Sequence, residues 1–528
     1  MEVRKREVFI LCMLLTTAFA MSGVVGTAQA NPDVDLVIVT PHWEGIRIEY
    51  EAAFEAYYLE TFGDVVNIQW LDVGGTSDVI KYVDSAYEAT PDGIGIDIFW
   101  GGGVDPFIAA KEKGQLQAYE VSEAILSKIP ATIAGVPMYD PDYTWYGSAL
   151  SGFGIIYNKA LLELEGLPEP ETWEDLTDPQ LKGWVGSADP RHSGSTHMMY
   201  EIILQAYGWE EGVKLATLMG ANIKTFPPSS SAVPKSVGAG DVAYGLAIDF
   251  YAWSEVAKVG ADKIGYVMPS GLTVINPDSI AILKGAPNME VAERFVEYAL
   301  SEAGQKLWML DVGAEGGPTD YLLGRMCVIP DLFDELADIT VVPINPFEVE
   351  SSLDYDADLG SIRYSFVNDL IGSMVIDSHE DLVAAWSDII ATESTLQEAG
   401  ITSMNIEAAK DKLGEAPLSS ADALDAAEDW SDAEIRNEYI SEWHTFALEK
   451  YESATGLAAA ARTELSTQLQ SEREALIAQY EAQLDEVKAQ TQNNLYMGLG
   501  GGLVVGAVIG YAIAYYLSRK GEVAAVEA

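Results

Sequence analysis

The sequence predicts an α/β body of two lobes, followed by a helical stalk and a single transmembrane helix. Three observations predict it. Strand-like and helix-like runs alternate from Leu36 onward, two extended segments (Ala149–Tyr157 and Leu272–Leu283) read as crossings between halves, and the chain past Ser453 turns into a polar, Pro-free run that ends in an uncharged one.

Taken in order, Val8–Ala20 is a short apolar core behind Arg4, Lys5 and Arg6, with the small-residue site Ala28-Gln29-Ala30 after it. That arrangement is a cleavable secretory signal over residues 1–30. Leu36–Val39 is a β-rich run, Ile46–Phe62 has helical spacing of Ile48, Phe54, Tyr58 and Phe62, and Val65–Leu71 is a second strand. Ser77–Ala89 is helical, Ile96–Trp100 a strand and Asp105–Lys113 helical again. A βαβαβ order of this kind implies a parallel sheet with helices on its faces, and ligands bind at the loops leaving the C-terminal strand ends.

The second α/β lobe follows Trp145-Tyr146-Gly147. Asp189-Pro190-Arg191-His192-Ser193-Gly194-Ser195-Thr196 precedes the apolar helix Met198–Tyr207, and Pro228-Ser229-Ser230-Ser231 precedes another helix start. Gly245–Ile248 is strand-like, and Leu272–Leu283 returns to the first lobe. The resulting division is 31–148 with about 272–340 for lobe one, and 149–271 with about 341–453 for lobe two. Helices dominate from Met289, including Val291–Leu300, Glu380–Ala391 and Ala433–Tyr451. Residues 331–453 either complete the second lobe only or add a surface of their own.

Over 454–494, Leu465, Leu469, Leu476, Tyr480 and Val487 form one narrow apolar stripe. A stalk helix of about 39 residues reaches roughly 58 Å. The stripe either pairs with a second copy or belongs to a solvated spacer. Leu495–Leu517 runs about 23 residues without a charge, and Arg519 and Lys520 follow at once, which orients a membrane span with residues 518–528 in the cytoplasm. Gly498, Gly502, Gly506 and Gly510 give that span a groove for a partner helix. The expected location is the cell membrane, single-pass, with the body outside.

Composition fits an exported globular body, since 48% apolar residues over 528 positions can bury more than one core. Of the two cysteines, Cys12 falls in the signal and Cys327 is left alone, so no intrachain disulfide is available. The net charge of −52, from 82 acidic and 30 basic residues, argues against a nucleic-acid partner. Any anionic ligand must therefore be captured by local dipoles and a few basic groups.

Those dipoles are present. A helix N-terminus offers unpaired amides and partial positive charge, and Gly or Ser there allows close approach to an oxyanion. Gly75–Ser77, Gly102–Val104, Ser193–Thr196 and Ser229–Ser231 lie on two lobes where the topology aims them at one cleft. Ser and Thr are also ordinary N-caps, so one such loop alone would mean little. Arg191 and His192 stand beside one cradle, either as charge partners for a ligand or ion-paired with neighbouring carboxylates. No His-x-x-x-His, Gly-x-Ser-x-Gly or Walker pattern occurs. The expectation is binding without catalysis and without a cofactor.

From Val37 to about Tyr451 the chain resembles the solute-binding proteins of ABC importers, in the type 2 periplasmic-binding-protein class that includes ferric-ion, phosphonate and sugar-phosphate binders. The resemblance is carried by Gly74-Gly75-Thr76-Ser77, Ser151-Gly152-Phe153-Gly154-Ile155-Ile156-Tyr157-Asn158-Lys159, Asp189–Ser195 and Gly245–Trp253. It implies two lobes that close on a solute and deliver it to an ABC permease, with bending near Ala149–Gly154 and Ile248–Ala252. Ferric-binding relatives look similar in using a His after the first strand, an acidic residue after the third and two adjacent tyrosines. Here His42 and Tyr251 fit, while Phe250 and Gly101-Gly102-Gly103 stand where further oxygen donors would be. Ser193-Gly194-Ser195 matches the segment that holds an accompanying anion in those relatives.

The expected ligand is therefore a phosphorylated or carboxylated organic anion, with a ferric ion held by His42 and Tyr251 as the alternative. A surface sensor, adhesin or hydrolase is the rival of another class. The expected site comprises His42, Gly75, Thr76, Ser77, Gly102, Gly103, Trp145, Ser151, Arg191, Ser193, Gly194, Ser195, Ser229, Ser230, Asp249 and Tyr251. Trp43, Trp100, Trp145, Tyr146 and Tyr251 are available to stack on its non-ionic part.

Overall fold

A computed structural model describes residues 34–349 and 353–495. The predicted secretory segment 1–30, most of the predicted span 495–517 with its Gly-rich face, and the predicted tail 518–528 lie outside the described residues. Among the described residues no helix is long and apolar enough to cross a membrane.

The elements of the first half follow the predicted order with boundaries shifted by one or two residues. Strands Val34–Val39, Val66–Leu71 and Ile98–Trp100 alternate with helices Glu44–Phe62, Thr76–Ala89 and Val104–Glu112. Gly63, at φ 84°, ends the first helix by donating its N–H to the Leu59 carbonyl, a left-handed stop that a side chain disfavours. These three strands are parallel, as βαβ connectivity demands.

The sheet as a whole is mixed, which departs from the parallel expectation. Its order is Val66–Leu71, Val34–Val39, Ile98–Trp100, Ile275–Leu283, Tyr146–Asn158, Tyr244–Ile248, Val185–Gly186. Both crossing segments run antiparallel to their neighbours, because each enters a lobe from the other one instead of through a helix on the same sheet. The strand Tyr146–Asn158 is buried along its full length. It pairs with Ile275–Leu283 as far as Gly152 and with Tyr244–Ile248 from Phe153, so the partner exchange falls within the stretch that the sequence marks as the hinge.

The first lobe is filled by an aromatic cluster. Trp100 meets Tyr50 at 4.7 Å and Phe295 at 5.4 Å, and Trp308 lies 4.7 Å from Tyr50. Helices Met289–Leu300 and Glu302–Met309 supply Phe295 and Trp308 to this core.

In the C-terminal section, helices His379–Glu398 and Met404–Gly414 pack on Trp209–Asn222 of the second half, while Ala357–Ile371, covered by Ser420–Glu428, bridges Val104–Glu112 of the first half and Gly194–Tyr207 of the second. Indole donors tie them down: Trp209 Nε1 donates to the Leu418 carbonyl at 2.9 Å, and Trp386 Nε1 to Asn222 Oδ1 at 2.8 Å. The predicted helix Ala433–Tyr451 and the predicted stalk are one 63-residue helix, Ala433–Leu495. Trp443, Ala447, Tyr451, Ala454, Ala458, Ala461 and Leu465 form its buried face, a spacing of three and four that keeps one stripe on the body. No side chain from Ser466 to Gln492 is buried. The free part, from Gln470 on, extends about 39 Å at 1.5 Å per residue.

Candidate functional site

Each of the four helix starts is shaped by local sequence. Gly75 is the N-cap of Thr76–Ala89, and its amide donates to Asp78 Oδ2 at 3.3 Å. Gly101 and Gly102 turn the chain at φ 109° and 113° before Val104–Glu112 begins, angles that glycine adopts at no steric cost. Ser193 caps Gly194–Tyr207 by accepting from the Thr196 amide at 3.3 Å. Ser229 and Ser231 share a 2.9 Å hydrogen bond ahead of Ala232–Ala239. The first amides of a helix have no intrahelical partner.

All four starts face one cavity of about 450 Å³ between the lobes. Of the expected residues, His42, Gly75, Thr76, Gly102, Gly103, Ser151, Ser193, Gly194, Ser195, Ser229, Ser230 and Tyr251 line it. The lobes are in contact around it. A Cβ on Gly194 would lie 2.6 Å from Thr76 Cβ.

Four expected residues do other work. Ser77 Oγ donates across the cleft to the Pro190 carbonyl at 2.9 Å and meets Tyr364 Oη at 3.1 Å. Arg191 is held between Asp189 at 2.8 Å and Asp377 at 2.9 Å, the ion-paired arrangement left open by its acidic surroundings. Trp145 is a core side chain with 1% exposure. Asp249 accepts from the Gly152 amide at 3.0 Å and the Phe250 amide at 2.7 Å; burial nevertheless pushes its carboxyl up to about 6. It fixes the crossing strand to the helix Asp249–Val259.

The floor of the cavity holds a buried cation that sequence reasoning passed over. Arg325 forms an ion pair with Asp278, donates from Nη2 to Ser151 Oγ at 2.7 Å, and lies over the Phe250 ring at 4.6 Å. His42 Nε2 approaches Asp278 Oδ2 at 2.9 Å, and the Gly102 amide donates to Oδ1. Burial alone would raise the Asp278 carboxyl, but Arg325 and His42 outweigh it and hold it well below the usual range. Burial lowers His42 in spite of Asp278 and pushes the Tyr251 hydroxyl up to about 12 in spite of Arg325. Arg325 Nε and His42 Nδ1 have no partner among the described residues.

Asp278 and Asn276, whose Oδ1 accepts from the Val104 amide at 3.2 Å beside the cavity, also escaped the sequence reading, because they sit on an apolar-looking returning strand. Arg325 lies in a loop with no periodic signal. It reaches the floor because Leu150 and Met326 pair as an isolated bridge. The only hint was a lone Arg just before the apolar run Met326–Ile329. Asp105, His197 and Tyr364 line the cavity as well.

Residues 96–312 match the family described as bacterial extracellular solute-binding protein. An uncharacterized protein of Haemophilus influenzae is 29% identical over 327 residues, covering 59% of this chain and 88% of that protein. A phosphoglycerate transport regulatory protein of Salmonella typhimurium is 28% identical over 184 residues, 35% of this chain. The chain spans 45% of that relative's length. Among solved structures, the periplasmic binding protein AfuA from Actinobacillus pleuropneumoniae, with exogenous fructose-6-phosphate bound, superposes with a TM-score of 0.50 at 21% identity. That superposition covers 64% of this chain and 98% of AfuA, and gives the fold.

Proposed function

We propose that this chain is the membrane-tethered extracellular receptor of an ABC importer and takes a small phosphorylated or carboxylated solute between two closing lobes. The observation that carries this reading is the convergence of four helix starts, drawn from both halves, on one cavity with a buried guanidinium in its floor. Backbone amides, with the Arg325 Nε–H that no described residue accepts, are the groups that attract a compact anion against the acidic field of the whole body. Contacts made by both lobes at once favour the closed state when solute is present. The phosphorylated compounds named with the two characterised relatives are of this chemical kind.

The ferric alternative has His42 and Tyr251 in the cavity. Against it, Phe250 and Gly101–Gly103 bring no side-chain oxygen, and Asp278 is already engaged by Arg325 and His42.

The tether is supported by the uncharged run Leu495–Leu517 and the Arg519 and Lys520 that follow it. It keeps the receptor at high effective concentration beside its permease without tight binding between them.

Titration calorimetry on the detergent-solubilised full chain tests the ligand class, with 3-phosphoglycerate, fructose 6-phosphate, citrate and Fe³⁺ as probes. Binding of at least one organic anion is expected. A response to Fe³⁺ alone, abolished by Tyr251→Phe, overturns the anion reading in favour of the ferric one.

A further inference from the structure

We propose that Asp105 and His197 form a subsite that reads an alcohol hydroxyl of the bound solute, so that the solute is a hydroxylated organic anion. The proposal rests on the anion reading above and names what else the solute must carry.

Both side chains line the cavity, Asp105 from the helix Val104–Glu112 of the first lobe and His197 from Gly194–Tyr207 of the second. They are 1% and 0% exposed. One atom of each is held. Asp105 Oδ2 accepts from the Tyr355 hydroxyl at 2.5 Å, and His197 Nδ1 lies 2.8 Å from Asn368 Oδ1. The other atom of each, Asp105 Oδ1 and His197 Nε2, has no partner among the described residues. Buried polar atoms are nearly always paired. Two orphan atoms on residues that line one cavity from facing lobes point to an occupant of that cavity as the missing partner.

The hydrogens define that occupant. Burial pushes the Asp105 carboxyl up to about 8, so it keeps its proton at neutral pH. Tyr355 donates to Oδ2, which leaves the proton on Oδ1. Burial holds His197 down to about 4, so the ring is neutral. Asn368 Oδ1 needs a hydrogen from Nδ1, which leaves a lone pair on Nε2. The two atoms thus present one donor and one acceptor. A hydroxyl accepts from the first and donates to the second. A phosphate dianion or carboxylate has no hydrogen for Nε2, and belongs at the serine-rich helix starts.

The geometry is imposed by Ala357–Ile371, a helix outside the segment that matches the solute-binding family. Its Tyr364 ring centroid is 3.7 Å from that of His197, and it carries Asn368. A Cβ on Gly360 would come 2.8 Å from Asp105 Oδ2, so the glycine allows the helix to close over Asp105. Tyr355 lies two residues before this helix. The C-terminal section therefore walls the cavity and fixes both polar side chains, in addition to covering the second lobe.

The test is calorimetry at pH 7 on the full chain with glycerol 3-phosphate and n-propyl phosphate, which share charge and chain length and differ in two hydroxyls. The unmodified protein is expected to bind glycerol 3-phosphate about tenfold or more tighter, because a site that pairs a hydroxyl rejects the analogue lacking it. Asp105→Ala and His197→Phe are each expected to bring the two affinities within about twofold, chiefly by weakening glycerol 3-phosphate, and a cooperative urea transition of each variant shows that it folds. Asp105→Asn, whose amide N–H replaces the acid proton, is expected to keep the preference. Equal binding of the two phosphates by the unmodified protein, or a preference that survives both Asp105→Ala and His197→Phe, overturns the subsite and leaves the anion reading standing. Binding of neither phosphate, with an organic anion bound in the calorimetry above, overturns the subsite and leaves the anion reading standing.

Discussion

Gly75 and His192 meet across the cleft: a Cβ on Gly75 would collide with the His192 carbonyl oxygen. The backbone of Gly75, at φ −75° and ψ 177°, suits any residue, so the glycine is required by the approach of the opposite lobe and not by its own conformation. Around it, His192 Nδ1 lies 3.0 Å from Asp78 and Lys81 Nζ donates to the Arg191 carbonyl at 2.9 Å. Gly75→Ala should leave each lobe folded but hold the two apart. Ligand affinity is expected to fall by about tenfold or more, corresponding to about 1.4 kcal/mol or more, with little change in the urea midpoint. An unchanged affinity would mean that closure does not bring these two residues together.

Arg325 and Asp278 test the cavity floor. Arg325→Met leaves the Asp278 carboxylate buried with His42 and one amide, and breaking a buried pair from one side costs about 3–5 kcal/mol. Adding Asp278→Asn should restore a large part of that loss, because the stranded charge is removed. Urea unfolding of the single and double variants measures both, and equal stability of the two would remove the charge argument.

The serines at the second-lobe helix start separate capping from binding. Ser193 holds the Thr196 amide and hydroxyl, so Ser193→Ala should lower stability by about 1 kcal/mol as well as weaken the anion. Ser195 Oγ donates to Ser230 Oγ at 2.8 Å and caps nothing. Ser195→Ala should weaken the anion by about 1–3 kcal/mol at nearly constant melting temperature. Full affinity in both variants would place the anion elsewhere.

The pH dependence of folding carries the signature of Asp105. Its folded-state carboxyl is raised to about 8 from an ordinary value of 3.8, so between these values only the folded state holds the proton. Stability from this group is complete below about pH 4 and is lost as pH rises toward 8, at about 1.4 kcal/mol for each pH unit in that window. The stability difference between Asp105→Asn and the unmodified protein should therefore grow in favour of the variant from pH 4 to 8. His197, lowered to about 4, acts in the opposite direction, its contribution fading as pH falls from 6.5 toward 4. A flat difference curve would show that Asp105 ionises normally.

Leu465 and Leu476 divide the long helix. Leu465 is fully buried against the body, so Leu465→Ala should cost about 2–5 kcal/mol. Leu476 lies on the free part, and Leu476→Ala should leave the unfolding midpoint of the body unchanged. Sedimentation of the same variant reads whether the free stripe pairs with a second copy.

The alternation of the first half, the two crossings and the four helix starts could be read directly, since each is a local pattern: a period of two or 3.6, or a Gly/Ser run just ahead of an apolar helix. The C-terminal packing was less visible. Ala447, Ala454, Ala458 and Ala461 bury the helix face by being small, and alanine gives little hydropathy contrast against the Glu and Gln around it. The stripe read from Leu465 onward is therefore only the end of the true contact.

By itself the sequence determined which segments become strands and helices and which loops end at open helix starts. Only the tertiary structure decided that Arg191 turns to Asp189 and Asp377 while Arg325 enters the cavity, and that Asp105, His197 and Tyr364 share a wall. Local propensity acts over a few residues, whereas the pairing of a charge depends on which carboxylates the fold brings within about 4 Å, the range at which a buried ion pair forms.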